Sequence, residues 1–513
     1  MNRKAELKGA ANIRKRYWNF FNCKLVSLFY RVPLISKRFI KTSFIYTLAG
    51  ALPMASAVIL LPFYMLYLPT SVYGALSLYL AFSIFVQIVV TYSFDSATYI
   101  YYHEYKHDKP VLASFISSAF VLILLLAAGS GILFTVAGDI IFRLIFDEDS
   151  KISFFPYGLL SVGIGAFQAI FKVYCNILQS SERPILFFRS NLLQFLLIVF
   201  LTFSGLYFFP NSLLGPIGGR LLAAILLAGW SLFRVFSHYG FHFNTNLLRS
   251  TFSFNQYTFI HQLQQWGINY LDRFIILLFL PLSTVGIYDF AIKCLVAIEL
   301  ILNGLHNSFY PKVVSVITAQ SDKGSTVELN RYYNGMTAVI LLIVSLSIFS
   351  IPLLFDLFGI KKGYEAAVAF IPYLAIVYVL RSVRYYFAIP FGVIKYMKPL
   401  PVISFFVSVI KVGLILLLIG DFGINGVIMA TLASLIIEIV LMREAIRKRF
   451  TFRYNFFKLI AVPGSIILMV LVLEPFVSDQ YKLLTHAAYV VLTATLLLWV
   501  YRNELKLIKF RLR

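Results

Sequence analysis

Windows of about 20 apolar residues recur from residue 43 to the end of the chain, and no other feature limits the possible folds so strongly. They are placed near 43–67, 74–98, 111–137, 154–176, 186–209, 213–234, 257–280, 285–308, 335–357, 365–388, 400–420, 423–443, 457–476 and 482–501. Each is long enough to cross a bilayer as a helix, which makes about fourteen spans. With 13% of residues charged and 60% apolar, a soluble globular chain of 513 residues is excluded. The fold class expected is an all-α polytopic membrane protein.

The net charge of +23 is read as topogenic rather than as a nucleic-acid footprint, because basic residues collect in the cytoplasmic connections of such chains. Odd-numbered connections are short or acidic, as in Leu68 to Tyr73 and Asp147-Glu148-Asp149, whereas even-numbered ones gather bases, as in Arg443, Arg447, Lys448, Arg449 and Arg453. Both termini are therefore expected on the cytoplasmic side of a bacterial cytoplasmic membrane. The first 40 residues hold many cations, including Arg14, Lys15 and Arg16, interleaved with Trp18, Phe20, Phe21, Leu25 and Phe29. They read either as an amphipathic helix on the inner leaflet or as a basic tail that only sets topology. No short apolar core with a cleavage site follows, so a removable signal peptide is not expected. Cys23, Cys175 and Cys294 have no metal spacing and imply no disulfide framework.

An internal duplication organises the spans. Leu68-Pro69-Thr70-Ser71-Val72-Tyr73-Gly74 reappears as Leu280-Pro281-Leu282-Ser283-Thr284-Val285-Gly286, so that Gly74 and Gly286 stand 212 residues apart. Gly215, Ile217 and Leu221 likewise match Gly426, Ile428 and Leu432, and Arg183-Pro184 resembles Lys398-Pro399. A repeat of six helices, an even number, keeps its orientation, so the two copies are related by a pseudo-two-fold axis along the membrane normal. The organisation expected is a basic segment over 1–40, six-helix lobes over 41–250 and 251–450, and two further helices with a basic tail over 451–513.

The span from Gln262 to Phe279 is the most polar. Gln262, Gln265, Asn269 and Asp272 fall at steps of three or four residues, the spacing of one helical face. Arg273 adds a second charge, and Asp289 and Lys293 follow on the next span. Charges within membrane spans are costly and usually face a bundle interior or a water-filled path.

These residues carry a family resemblance. Asp272-Arg273-Phe274-Ile275, Val285-Gly286-Ile287-Tyr288, and Ala291 with Lys293 resemble the seventh and eighth helices of polysaccharide flippases of the Wzx type. That family lies in the multidrug/oligosaccharidyl-lipid/polysaccharide exporter superfamily. Leu61-Pro62, Tyr73-Gly74 and Phe94-Asp95-Ser96-Ala97 are similar to its opening two spans, although many members place an arginine where this chain has Ile100. The resemblance covers about residues 40–500. It implies a flippase that moves a polyprenyl-diphosphate-linked oligosaccharide from the cytoplasmic to the outer leaflet, with no cofactor and no enzymatic step. The implied partners are that lipid-linked substrate, membrane lipid and the polymerase or assembly proteins of surface polysaccharide synthesis.

A diphosphate needs cationic donors, and a glycan needs a polar chamber with aromatic faces. The candidate substrate residues are Arg273, Arg220, Lys293, Lys411, Arg381, Asn269 and Gln265. At 1.5 Å rise per residue, Arg220, Arg273 and Lys293 each lie roughly 10–12 Å inside the outer end of their helices, a position for one cationic layer. Each also has a structural reading: Lys293 as the i, i+4 partner of Asp289, Arg273 as the partner of a buried acid, Arg220 as part of the close packing of Gly218-Gly219, and Lys172 and Arg384 as snorkelling cations. Asp272, Asp289, Asp95 and Glu299 are candidates for ion coupling or, alternatively, fixed ion pairing.

Two other classes are weighed. A cation-coupled exporter of drugs or metabolites would share the architecture but favour acids over bases in its cavity. His103-Glu104-Tyr105-Lys106-His107 fits the zinc-peptidase pattern, yet it sits in a short connection, Pro110 follows, and no third ligand is identifiable, so no metal site is expected. His238 and His242 have the same spacing and the same weakness.

Overall fold

Proline and short polar caps set where the helices start. Asp108 caps Lys109–Ile145 by accepting a bond from the Val111 amide at 3.2 Å, with Pro110 in the first turn, where a missing N–H costs nothing. Pro184 and Pro399 open their helices in the same way, and the Asn244 side chain accepts from the Asn246 and Leu247 amides to start Thr245–Phe279.

The computed structural model describes residues 37–146, 152–319, 327–357, 363–394, 396–450, 454–476 and 482–504. The N-terminal basic segment up to residue 36, the Asp147-Glu148-Asp149 turn, Arg453 and the basic tail after residue 504 lie outside them. The described residues form sixteen α-helices: α1 Lys37–Tyr67, α2 Thr70–Thr91, α3 Phe94–Tyr105, α4 Lys109–Ile145, α5 Leu159–Ser180, α6 Pro184–Phe208, α7 Leu214–Tyr239, α8 Thr245–Phe279, α9 Leu282–Cys294, α10 Val296–Ala319, α11 Val327–Leu357, α12 Ile371–Val393, α13 Pro399–Phe422, α14 Ile424–Ile446, α15 Val462–Leu473 and α16 Lys482–Val500. Sixteen helices make fourteen spans because the second and eighth are each broken. Tyr92 and Ser93, with φ of 40° and 59°, separate α2 from α3, and the turn at Leu295 separates α9 from α10.

Eleven described segments are long and apolar enough to cross a membrane, so this is a multi-pass membrane protein. The expected spans outside that set are α8, whose polar stripe lowers its hydropathy, the broken pair α9–α10, and α15, a shorter apolar helix.

The duplication is visible in the packing. In the first copy α1 packs on α6, α6 on α7, α7 on α5, and α5 on α2 and α4. The second copy repeats the scheme: α8 on α13, α13 on α14, α14 on α12, and α12 on α9, α10 and α11. Gly215 and Gly426, matched in sequence, also play one role, each bringing its helix backbone against the preceding helix at Gly205 and Leu418. The additional helices α15 and α16 pack outside the second copy, on α12 and α11, where Ser345 donates to the Thr493 hydroxyl at 3.0 Å.

The two copies meet through α2 and α9. Along α8 they also touch α2, α3 and α4, and the Trp266 indole donates to the Ala81 carbonyl at 2.9 Å.

Candidate functional site

Beside the α2–α9 contact lies a cavity of about 100 Å³. Its walls come from both copies: Tyr64 of α1, Tyr73 and Ser77 of α2, Arg220 of α7, Tyr270 and Arg273 of α8, and Asp289 and Lys293 of α9. The expected layer of Arg220, Arg273 and Lys293 is thus brought together around one space. The space is large enough to hold water.

Arg273 is 3% exposed and bridges two carboxylates. Its Nε donates to Asp289 Oδ1 at 2.7 Å, and its Nη1 donates to Asp272 Oδ1 at 3.1 Å and to the Asn269 carbonyl at 2.7 Å. The carboxylates are filled from other sides as well. Tyr73 donates to Asp289 Oδ2 at 3.0 Å, and Tyr288 donates to Asp272 Oδ2 at 2.8 Å. Lys411, 8% exposed, stands 3.6 Å from Asp272 Oδ2 and donates to the Ile268 carbonyl at 2.9 Å. A charge so deeply buried is tolerated because each member has partners. This is the buried-acid reading of Arg273; two of its three guanidinium nitrogens are spent on the protein.

Lys293 does not pair with Asp289. Both carboxylate oxygens of Asp289 are occupied by Arg273 and Tyr73, and Lys293 lines the cavity without an ion pair or hydrogen bond among the described residues. Arg220 has no acid partner there either: its Nη2 donates to the Tyr64 hydroxyl at 3.2 Å, and its buried Nε has no hydrogen-bond partner. The packing role expected of the neighbouring glycines falls to Gly219, where a Cβ would overlap the Leu201 carbonyl, while Gly218 has open space beside it.

The other candidates are placed elsewhere. Gln265 and Asn269 do not line the cavity, and the Asn269 amide turns back to the Gln265 carbonyl at 2.8 Å. Gln262 donates to Asp95 Oδ1 at 3.1 Å, so the polar stripe of α8 divides between two clusters. Asp95 also pairs with Lys172 at 2.8 Å, Arg384 with Glu438 at 2.7 Å, and Arg381 with Glu299 at 3.4 Å. Lys172 and Arg384, read above as snorkelling, hold acids instead. All four candidate coupling acids carry a cationic partner. In the zinc-peptidase-like segment α3 ends at Tyr105, which leaves His107 beyond the helix that carries His103; among the described residues no three His, Cys, Asp or Glu side chains converge.

The sequence motifs include Tyr73 and Tyr288 without a site role and leave out Glu438, all three of which complete these networks, as well as the buried pair of His486 Nε2 and Glu474 Oε1 at 3.0 Å. A lone charge in an apolar helix signals that some partner exists, but its identity depends on which helices become neighbours.

Comparison with known proteins agrees with this architecture. No curated protein matches the sequence. The structure is similar to that of the lipid II flippase MurJ in an inward closed conformation, at 15% identity and a TM-score of 0.70, over 91% of this chain and 99% of that one. It is also similar to an inward-facing multidrug resistance MATE family transporter of the MOP superfamily, at 16% identity and a TM-score of 0.57, over 78% of this chain and 95% of that one. Residues 39–316, more than half of the chain, match the family described as polysaccharide biosynthesis protein. The chain, an all-helical multi-pass membrane protein with the flippase and MATE transporter fold, belongs to that polysaccharide biosynthesis family.

Proposed function

We propose that the protein carries a polyprenyl-diphosphate-linked oligosaccharide from the cytoplasmic to the outer leaflet of a bacterial cytoplasmic membrane, for O-antigen, capsule or exopolysaccharide synthesis. The observation that carries this reading is that Arg220 and Lys293 face the inter-lobe cavity without an acid partner among the described residues, while Asp289 is already neutralised. Three cations and one carboxylate line the cavity, and the Asp272–Lys411 contact beside it cancels, which leaves a formal charge of +2 around a space walled largely by buried protein. Low dielectric strengthens the attraction of such a site for a diphosphate. Membership of a polysaccharide biosynthesis family and the likeness to a lipid II flippase point to a lipid-linked sugar as the source of that diphosphate.

About 100 Å³ is too small for the glycan, so transport requires the lobes to part and rejoin around the cationic pair. Both termini and the basic connections are assigned to the cytoplasm. The drug exporter reading is weaker, because a coupling cation would need a free carboxylate and the acids here hold arginine or lysine. Leaflet exchange of a fluorescent polyprenyl-diphosphate oligosaccharide in proteoliposomes, run beside efflux of a cationic drug, separates the two. Drug movement without lipid movement would overturn the flippase reading.

A further inference from the structure

A second cavity, of about 190 Å³, lies at the opposite end of the first copy, between the end of α5, the start of α6 and the last turns of α7. Arg183, Arg234 and His238 line it together with the hydroxyl-bearing Ser181, Ser237 and Tyr174. No carboxylate lines it. Glu182, the nearest acid in sequence, sits in a left-handed turn with φ of 54° and is not among the lining residues.

Neither Arg183 nor Arg234 makes an ion pair among the described residues, unlike Lys172, Arg381 and Arg384 within the spans. The contrast with the repeated turn in the second copy is direct: near Lys398-Pro399, the Arg449 guanidinium is covered by the Tyr396 ring at 3.8 Å.

The start of α6 adjoins the cavity. Arg183 stands at its N-cap position, Pro184 follows, no side chain caps the first turn, and Leu186 of that turn forms part of the wall, so the positive end of the helix dipole lies beside the cavity. Neighbouring contacts hold Tyr174 and the chain that leaves α7. Tyr174 packs edge-on to Trp230 at 5.2 Å, and the connection after α7 is tied to α4 by His242 and Asn244 amides donating to Ser117 and Ser118 at 2.8 Å.

Apolar side chains next to the two arginines face outward. Phe233 is 70% exposed and Ile185 58% exposed on spans that lie in lipid, so the cations stand at the level where acyl chains give way to headgroups. Basic pockets between spanning helices at this depth suit lipid phosphates. We propose that this cavity binds a phosphate ester, the headgroup of an anionic phospholipid in the leaflet that adjoins the basic connections. The guanidinium forks of Arg183 and Arg234 take the phosphate oxygens, and the Ser181, Ser237 and Tyr174 hydroxyls take the polar atoms beside it.

The test is lipid titration of the delipidated full-length protein, read by native mass spectrometry, with phosphatidylglycerol, phosphatidylcholine and inorganic phosphate as separate probes. Wild type should retain phosphatidylglycerol several-fold more tightly than phosphatidylcholine. Arg183→Gln with Arg234→Gln should bring that preference close to one while the lipid-free thermal midpoint stays near wild type. Ser237→Phe, which fills the cavity and keeps both charges, should weaken phosphatidylglycerol alone. An unchanged preference in both variants would show that the lipid binds elsewhere and overturns the site. Retention of inorganic phosphate with no preference between the lipids would overturn the lipid source.

Discussion

Gly74 of α2 and Gly286 of α9 meet backbone to backbone across the two copies, so the duplicated sequence motif packs against its own repeat. A Cβ added at Gly74 would overlap the Leu282 carbonyl and lie 2.9 Å from the Gly286 amide nitrogen; one added at Gly286 would overlap the Thr70 carbonyl. Small residues permit this approach, and the contact adjoins the cationic cavity, which Tyr73 and Ser77 of α2 and Asp289 of α9 line.

Gly286→Val should therefore push the lobes apart at this end. Overpacking of this kind costs about 1–3 kcal/mol. Labelling of Ser77→Cys by an impermeant thiol reagent, low while Ser77 is buried beside this contact, should rise several-fold in the Gly286→Val background. Unchanged labelling with normal transport would separate the contact from gating.

Arg273→Gln leaves Asp272 and Asp289 without their shared cation. Breaking a buried pair on one side costs on the order of 3–5 kcal/mol, so the variant should express poorly and unfold early. Arg273→Gln with Asp289→Asn should recover much of the lost thermal stability, since the uncompensated charge is removed. A double variant no more stable than Arg273→Gln alone would deny the pair its structural role.

Arg220→Gln and Lys293→Gln should behave in the opposite way. Neither cation holds an acid among the described residues, so removing either leaves no uncompensated carboxylate, and the thermal midpoint should not fall as it does for Arg273→Gln. Binding and leaflet exchange of the lipid-linked oligosaccharide should fall strongly, and Arg220→Lys should remain impaired because the planar fork is lost. Normal exchange by both Gln variants would sink the proposed anion site.

Topology is tested apart from function. In a background without Cys23, Cys175 and Cys294, Asn211→Cys, in the turn between α6 and α7, should be labelled by an impermeant thiol reagent on intact cells. Arg449→Cys, after α14, should be labelled only after lysis. The reverse pattern would invert the assignment.

The sequence alone determined the helical membrane class, the span positions, the duplication and the three cations of the central layer. These follow from local composition and spacing: a run of about 20 apolar residues has few alternatives to a spanning helix, and an even-numbered repeat fixes relative orientation. The partners of the charges were decided by the tertiary structure. Arg273 and Asp289 are 16 positions apart, Tyr73 and Asp289 are 216 apart, and Asp95 and Gln262 are 167 apart, so no helical periodicity connects them. Lys293 shows the difference most directly. Its i, i+4 spacing predicts a pair with Asp289, but α2 and α8 bring Tyr73 and Arg273 to that carboxylate, and the lysine lines the cavity without an ion pair among the described residues.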